Sequence, residues 1–227
     1  AVKMNTNENL NADLTKRAVM HAADMDWQPS PSPSVWRKRF YRDGPAEAGI
    51  VTSVVRYEPG SEFPTHHHPG GEEIFVLDGM FSDEHGDYPA GTYLLNPDGT
   101  SHAPFSKDGC TLFVKLRQYA GDGRAQVEMN TNVLDWQART ATGIWQIPLY
   151  RQGGYRDWKM LLKLDPGAES PQHSHPNGEE VFVIDGEFSD GFGTYPARTW
   201  TRSPPGSSHA IQSENGAILY VRLGGME

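Results

Sequence analysis

The sequence predicts an all-β protein made of two similar sandwich or barrel domains in tandem. Short strand-like runs separated by turn residues dominate both halves, and one motif recurs in a strict register of 107 residues. The motif is Thr65-His66-His67-His68-Pro69-Gly70-Gly71-Glu72-Glu73, and its copy is Gln172-His173-Ser174-His175-Pro176-Asn177-Gly178-Glu179-Glu180. Each copy is followed by one more histidine, His102 or His209. With 227 residues, each half can bury its own core.

Residues 1–23 are predicted to form a short N-terminal arm, in which residues 5–24 show weak helical spacing without firm caps. Ala1-Val2-Lys3 before Met4 is interpreted as an expression remnant, a hypothesis that mass spectrometry of the natural protein would test. The prolines of residues 29–34 then favour extended or irregular backbone, because proline fixes φ.

The first domain is predicted at residues 24–122 and the second at residues 123–227, with a small polar linker at residues 120–123. The predicted strands of the first half are residues 50–57, 73–77, 91–95 and 111–116. Their counterparts in the second half are residues 158–164, 180–184, 199–202 and 217–223. The segment before Gly167 in the second copy is about two residues shorter than the matching segment before Gly60 in the first copy.

The composition excludes several classes of partner. A formal net charge of −9 without a basic stripe argues against nucleic acid, since phosphate binding depends on clustered Lys and Arg. Lys16-Arg17 and Arg37-Lys38-Arg39 are interpreted as solvated charges. No long apolar run and no signal-peptide core are present, so we expect a cytoplasmic protein without a membrane partner. The single cysteine, Cys110, is interpreted as a buried structural thiol.

The repeated histidines and glutamates have the spacing of metal ligands. Residues two apart on an extended strand point to the same face, so His66 and His68 can aim both imidazoles at one point. Glu72 follows a turn that returns the chain near that point, and His102 comes from a distant strand that only a closed or folded sheet can bring back. The second half offers the same set, namely His173, His175, Glu179 and His209.

Three neutral nitrogens and one carboxylate oxygen suit a first-row divalent metal such as Fe, Mn, Co, Ni, Cu or Zn. We therefore predict one divalent transition metal in each half, with Zn, Fe, Mn or Ni as the candidates. Glu73 and Glu180 repeat as well, but alternation along the strand points their side chains away from the face that carries the ligands. They are therefore interpreted as exposed or as groups that support the ligands. No general base is distinguishable, and the catalytic residues stay unknown. Four aromatic residues could line pockets but are more often core: Tyr93, Phe105, Trp158 and Trp200.

These residues resemble the two motifs of the cupin family. The first motif is matched by Gly60, His66, His68, Glu72 and Gly79, and the second by Gly91, Pro97, Gly99 and His102. The second half matches at Gly167, His173, His175, Glu179, Gly186, Pro204, Gly206 and His209. Arg198 stands where the second motif has glycine, so the motif does not predict the usual glycine turn at residue 198. The resemblance implies a bicupin of two tandem jelly-roll barrels, or double-stranded β-helices, each holding one metal in its mouth.

A closer similarity is to the cupin part of the ChrR-type anti-sigma factors, carried by residues 68–73, 81–91 and 101–106. In that subgroup the cupin domain follows a sigma-binding domain built around a zinc site of His and Cys ligands. The similarity covers roughly residues 24–227 and omits that domain, because the first cupin-like strand begins near residue 50 and no Cys cluster exists. The family resemblance also implies a homodimer.

Three functions are compatible with these features. The ChrR-like similarity favours a regulatory or sensory protein of the stress response, whose metal would bind a small-molecule ligand or sense an oxidant for a protein regulator. The alternative is a metal-dependent dioxygenase for a small diketone or aromatic substrate, since four protein ligands leave about two open positions on an octahedral metal. A purely structural metal is the third possibility.

Two properties are expected for either of the first two functions. His66→Ala or His173→Ala should empty one metal site and leave the other loaded. Metal should also be released as the pH falls below about 6, because an imidazole must be neutral to bind a metal.

Overall fold

The computed structural model describes residues 9–226, and these residues form an all-β fold. They contain two short 3₁₀-helices, Ala22–Asp24 and Thr131–Val133, and no α-helix. The first twelve strands are β1 Ala18–His21, β2 Gln28–Pro29, β3 Val35–Asp43, β4 Ile50–Tyr57, β5 Ser61–Glu62, β6 His66–His67, β7 Glu72–Asp83, β8 Gly86–Pro89, β9 Thr92–Asn96, β10 Ser101–His102, β11 Phe105–Ser106 and β12 Cys110–Leu116. The following twelve are β13 Val127–Asn130, β14 Gln137–Ala138, β15 Ile144–Arg151, β16 Trp158–Leu164, β17 Ala168–Glu169, β18 His173–His175, β19 Glu179–Asp190, β20 Gly193–Pro196, β21 Thr199–Ser203, β22 Ser207–His209, β23 Gln212–Ser213 and β24 Ala217–Leu223. Nowhere in residues 9–226 is there a helix long and apolar enough to cross a membrane.

The chain divides into two compact units whose limits differ from those expected from the sequence. Unit 1 contains residues 9–12 and Asp26–Val133, and unit 2 contains Asp13–Met25 and residues 134–226. The difference arises from two strands. β1 precedes the first repeat but pairs with β21 in unit 2, whereas β13 follows the expected linker but pairs with β9 in unit 1. Each unit therefore takes an edge strand from the segment that precedes the other repeat.

Both units have the same antiparallel topology. In unit 1 the main sheet runs in the order β13-β9-β7-β12-β4-β3-β2, and in unit 2 it runs β1-β21-β19-β24-β16-β15-β14. The long strands β7 and β19 pair with the main sheet at their beginning and with β8 and β20 at their end. A separate two-stranded ladder joins β6 to β10 in unit 1 and β18 to β22 in unit 2. The predicted repeat and all-β class are confirmed.

Each unit encloses its own apolar core, as expected of strands that alternate between an interior and an exterior face. In unit 1 the core cluster includes Val76, Phe81, Leu94, Cys110 and Leu112. Cys110 is 5% exposed, and burial raises the pKa of its thiol to about 11. The interpretation of Cys110 as a buried thiol is confirmed.

The N-terminal arm forms no α-helix between residues 9 and 24, where the single 3₁₀ turn Ala22–Asp24 is its only helical part, so the weak helical spacing there is misleading. β1 instead pairs antiparallel with β21, from Ala18 opposite Arg202 to His21 opposite Thr199. A short segment without caps gains more from joining a sheet edge than from an isolated helical turn. Residues 1–8, with the interpreted expression remnant, lie outside the described residues.

Three arginines interpreted as solvated charges are partly buried and paired. Arg17 lies 3.6 Å from Asp190 with its side chain 24% exposed, and Arg37 and Arg39 form ion pairs with Glu47 with side chains 16% and 18% exposed. The solvated interpretation was wrong for these residues because the carboxylates that pair with them lie far away in sequence or across a turn. Lys16, with its side chain 77% exposed, fits the interpretation.

The turn before β21 keeps the conformation of its counterpart before β9, although Arg198 replaces Gly91. Gly91 has φ +92° and Arg198 has φ +68°, so both adopt the left-handed region. Their backbone N–H groups donate equivalent hydrogen bonds, to the carbonyls of Val76 and Val183. The replacement of glycine by Arg198 therefore adds about 1 kcal/mol of backbone strain to the turn but leaves the course of the backbone unchanged.

Candidate metal centres

The first candidate metal centre lies in unit 1, where β6 and β10 meet the start of β7. His66, His68, Glu72 and His102 each place one ligand atom there, and these atoms lie within 4.8 Å of one another. Glu72 Oε1 is 3.4 Å from Nε2 of His68 and 3.4 Å from Nε2 of His102. His67 is exposed, as strand alternation predicts. The structure brings together all four residues that the sequence predicts for this half.

The second candidate centre occupies the equivalent place in unit 2, between β18, β19 and β22. The ligand atoms of His173, His175 and His209 lie within 4.8 Å of one another. Glu179 stands outside this group of three, but its carboxylate oxygens lie 3.3 Å from Nε2 of His175 and 3.3 Å from Nε2 of His209. The Nε2 atoms of these two histidines are 3.0 Å apart. Glu179 therefore approaches two of the three predicted histidine ligands.

Five of the six candidate histidine ligands, all except His175, are oriented by hydrogen-bond partners at their Nδ1 atoms. His66 and His173 approach the carbonyls of Pro64 and Pro171 at 3.1 and 2.9 Å. The remaining pairs are His68 with Thr100 Oγ1 at 2.9 Å, His102 with Asp83 Oδ2 at 3.1 Å and His209 with Asp190 Oδ2 at 2.9 Å. An acceptor at Nδ1 selects the tautomer whose Nε2 lone pair is free to bind a metal.

The atoms at the first centre fit a metal ion. Nε2 of His68 and Nε2 of His102 are buried without a hydrogen-bond partner, which is uncommon in a native interior. Both nitrogens face the same Glu72 oxygen. A divalent cation would satisfy the two nitrogens and the carboxylate together. The residues therefore match the group that the cupin resemblance implies.

Asp83 and Asp190 are parts of the centres that the sequence interpretation missed. Each carboxylate joins a histidine to a tyrosine, because Tyr88 Oη donates to Asp83 at 3.1 Å and Tyr195 Oη donates to Asp190 at 3.0 Å. The Asp83 and Asp190 side chains are only 5% and 2% exposed. Both Asp and both Tyr stand in the same 107-residue register as the ligands, so the register contained the signal.

Glu73 and Glu180 are buried, at 1% and 3% exposure, so the interpretation of these residues as exposed was wrong. Tyr93 Oη donates a hydrogen bond of 2.7 Å to Glu73, which compensates its removal from water. Tyr93 and Trp200 are themselves fully buried, in keeping with the interpretation of strand aromatics as core, whereas Phe105 is exposed and does not fit it.

Burial sets the protonation of the first centre. Loss of hydration lowers the pKa of His68 to about 3 and also lowers the pKa of His102, so both imidazoles stay neutral near pH 7. The same loss of hydration raises the pKa of Glu72 to about 7. At the second centre, burial disfavours the charged form of His209, but the carboxylates of Glu179 and Asp190 outweigh it and raise the pKa of His209.

The pH dependence of metal binding at the first centre should therefore follow Glu72 rather than His68 or His102. Below pH 7 the metal must displace a proton from Glu72, so its affinity should fall about tenfold per pH unit between roughly pH 7 and pH 5. Above pH 7 the affinity should level off. Competition with a chromophoric chelator across this range measures the slope. Glu72→Gln should flatten it, and an unchanged slope in that variant would assign the proton to another group.

A cavity of about 390 Å³ opens beside the first centre, and all four candidate ligands line it. Most of its other walls are apolar, among them Val35, Val55, Phe63, Ile74, Leu112 and Val114.

Ser53 supplies a small side chain to this lining. The equivalent residue of unit 2 is Met160, because Ser53 pairs with Val114 just as Met160 pairs with Val221. Met160 is 1% exposed and belongs to the packed core of unit 2. Unit 1 thus has room for a small molecule beside its ligands.

Fold, repeat and ligand arrangement together define a bicupin with two candidate metal centres. The chain belongs to the ChrR Cupin-like domain family, whose model matches twice, at residues 15–120 and 124–227. Among curated protein sequences no match is found.

Solved structures share the fold at low sequence identity. A proposed dioxygenase from Nostoc punctiforme has a TM-score of 0.77 and 15% identity, with 92% of this chain and 82% of that chain covered. A bacterial pirin from Escherichia coli in complex with nickel(II) has a TM-score of 0.67 and 12% identity, covering 92% and 99%. A variant of Bacillus subtilis oxalate decarboxylase has a TM-score of 0.61 and 13% identity, covering 97% and 79%.

Proposed function

We propose that this chain is a metal-dependent cupin enzyme whose unit 1 acts on a small molecule with an apolar body, with dioxygenase chemistry as the reaction class. The observation that carries the proposal is the cavity of about 390 Å³ lined by His66, His68, Glu72 and His102. Its size lies in the range typical of small-ligand sites, which combine apolar walls with a few convergent polar groups.

The ligand set supports this assignment. His66, His68, Glu72 and His102 would hold a divalent metal at the wall of the cavity, and His173, His175, Glu179 and His209 would hold a second one in unit 2. A divalent metal held by these residues would supply a site at which dioxygen and a chelating substrate can react. The protein's own part in unit 1 is to keep the imidazoles of His68 and His102 neutral, to orient its histidines through Nδ1, and to surround the substrate with apolar side chains that exclude water.

The identity of the metals is part of the proposal. Iron is the ion expected for a dioxygenase in unit 1, whereas Zn, Mn or Ni would fit the same ligands. The pirin neighbour is a nickel(II) complex, and studies of Bacillus subtilis oxalate decarboxylase concern Mn(II) centres, so the fold accommodates several ions.

A regulatory or sensory role in the stress response is the second candidate, and the match to the ChrR Cupin-like domain favours it. In that role the cavity would bind a small effector molecule, and a protein regulator would respond to whether the effector is bound. The two candidates differ in turnover, not in the architecture of the centre.

The homodimer that the family resemblance implies is a further prediction, which light scattering of the full chain would test.

Oxygen consumption distinguishes the two candidates. We expect elemental analysis of tag-free protein to find a first-row metal, and the iron-loaded protein to consume dioxygen when given diketones or phenolic ketones from a panel. Substrate-dependent uptake that disappears after chelation would establish the enzyme. Bound zinc, no uptake on any panel member and co-purification of a regulator would instead establish the sensory role.

A further inference from the structure

In unit 2 the guanidinium group of Arg17 occupies a defined polar niche behind the metal centre. Arg17 donates hydrogen bonds to Tyr195 Oη and, at 2.9 Å, to Ser203 Oγ, and it lies 3.6 Å from the carboxylate of Asp190. Its guanidinium carbon is 4.3 Å from the ring centroid of Phe192. The niche thus combines a carboxylate, two hydroxyls and a flat ring around one cation.

Unit 1 has the same niche with a shorter side chain at its entrance. The positions 107 residues earlier hold Asp83, His85, Tyr88 and Asn96 in place of Asp190, Phe192, Tyr195 and Ser203. Arg17 precedes β1, and the residue that precedes the equivalent strand β13 is Gln126. Gln126 Nε2 donates to Asn96 Oδ1 at 3.2 Å, which reproduces the contact of Arg17 with Ser203.

A cavity of about 520 Å³ lies where the guanidinium group would be in unit 1. Its lining includes Asp83, His85, Tyr88, Asn96, Gln126 and Glu128. Two of these residues carry carboxylates, and the lining contains no Lys or Arg. Asp83 Oδ1 accepts hydrogen bonds from Tyr88 Oη and from the backbone N–H groups of His85 and Gly86. The carboxylate group is therefore held in a fixed orientation at the wall of the cavity.

We propose that this cavity of unit 1 is a binding site for a guanidinium group, supplied by an alkylguanidine or by an arginine side chain of a partner. Asp83 supplies the opposite charge, Tyr88 Oη and Asn96 Oδ1 accept hydrogen bonds, and the His85 ring takes the place of the Phe192 ring. Unit 2 supplies the template, because its homologous niche already holds such a group on equivalent residues. Asp83 also orients His102, so an occupant would contact a residue that positions a candidate ligand. The proposal does not depend on the reaction at the metal centre.

Isothermal titration calorimetry of the full chain with agmatine tests this site. The control is N-(4-aminobutyl)urea, which has the same chain and amino group but an uncharged urea in place of the guanidinium. We expect saturable binding of agmatine at one site per chain and none of N-(4-aminobutyl)urea. Gln126→Arg should abolish the binding, because the new side chain would occupy the niche as Arg17 does in unit 2. Gln212→Arg adds the same charge at an exposed position of unit 2 and should leave the binding intact.

Arg17→Gln provides the reverse change and should create a second agmatine site. If this variant fails to fold, the comparison of Gln126→Arg with Gln212→Arg still decides the question. Absence of agmatine binding to the unmodified chain, equal binding of N-(4-aminobutyl)urea, or binding that survives Gln126→Arg would each overturn the proposal. Tighter binding of a blocked arginine peptide than of agmatine would assign the site to a protein partner, and the opposite order would assign it to a small guanidine.

Discussion

Ser53→Met is expected to abolish substrate-dependent oxygen uptake while both metal ions stay bound. The methionine would extend into the cavity beside the first centre, as Met160 fills the equivalent place in unit 2. A side chain that removes the space for a substrate group should lower kcat/KM at least about tenfold, since even one methylene in a pocket changes binding by about 1–3 kcal/mol. Oxygen-electrode kinetics and elemental analysis of the same preparation measure both quantities.

Two variants control for effects on folding. Ser53→Ala removes the hydroxyl but keeps the space, so its activity should stay close to that of the unmodified protein. Met160→Ser makes the reverse exchange in unit 2 and should not reduce turnover, although a buried cavity there should lower the free energy of unfolding by about 2–5 kcal/mol. Full activity in Ser53→Met would show that the substrate does not enter this cavity.

His66→Ala and His173→Ala are each expected to lower bound metal from about two ions to about one per chain. Each removes one imidazole from a separate group, and the two groups lie in different units. Only His66→Ala should also abolish turnover, because the cavity of about 390 Å³ is lined by the ligands of unit 1. Inductively coupled plasma mass spectrometry gives the metal content of each variant.

His67→Ala is the matched control for these variants. His67 lies directly between two candidate ligands but is exposed, so this variant should keep both metals, although His67 also lines the cavity beside the first centre. If both ligand variants kept the metal content of the unmodified chain, the two-centre account would be wrong. Loss of activity in His173→Ala alone would move the reactive centre to unit 2.

The ligands could be predicted from the sequence because their arrangement follows from local geometry. Strand alternation places His66 and His68 on one side of the chain and His67 on the other, and this holds in the structure. The 107-residue register then transfers the same arrangement to His173 and His175. His102 and His209 needed one further assumption, that the sheet folds back on itself, and the ladders of β6 with β10 and of β18 with β22 confirm it.

Features that depend on non-local pairing were not predictable in the same way. β1 lies in a segment with weak helical spacing, and its strand conformation comes from a partner, β21, that begins at Thr199. The exchange of β1 and β13 between the units has no local signature, and it moved the limits of the units away from the expected linker. The pairing of Arg17 with Asp190 follows from this exchange, which explains why a solvated charge was the wrong interpretation.

Whether a barrel interior keeps free space beside its candidate ligands depends on side-chain packing and not on the alternation of inward and outward residues along the strands. Ser53 and Met160 both fit the inward positions of a strand, and only the surrounding side chains decide whether space remains. The orienting carboxylates Asp83 and Asp190 are a different case, since their register equals that of the ligands. A systematic comparison of the two halves at that spacing would have found them, together with Tyr88 and Tyr195.

Anomalous X-ray diffraction from crystals of the metal-loaded chain, recorded at the absorption edge of the bound metal, tests the central claim most directly. The account predicts one peak in each unit, about 2.0–2.1 Å from the Nε2 atoms of His66, His68 and His102 in unit 1 and of His173, His175 and His209 in unit 2. It also predicts that the peak of unit 1 lies at the wall of the apolar cavity. A metal bound through Nδ1 atoms, or found only at surface histidines, would contradict it.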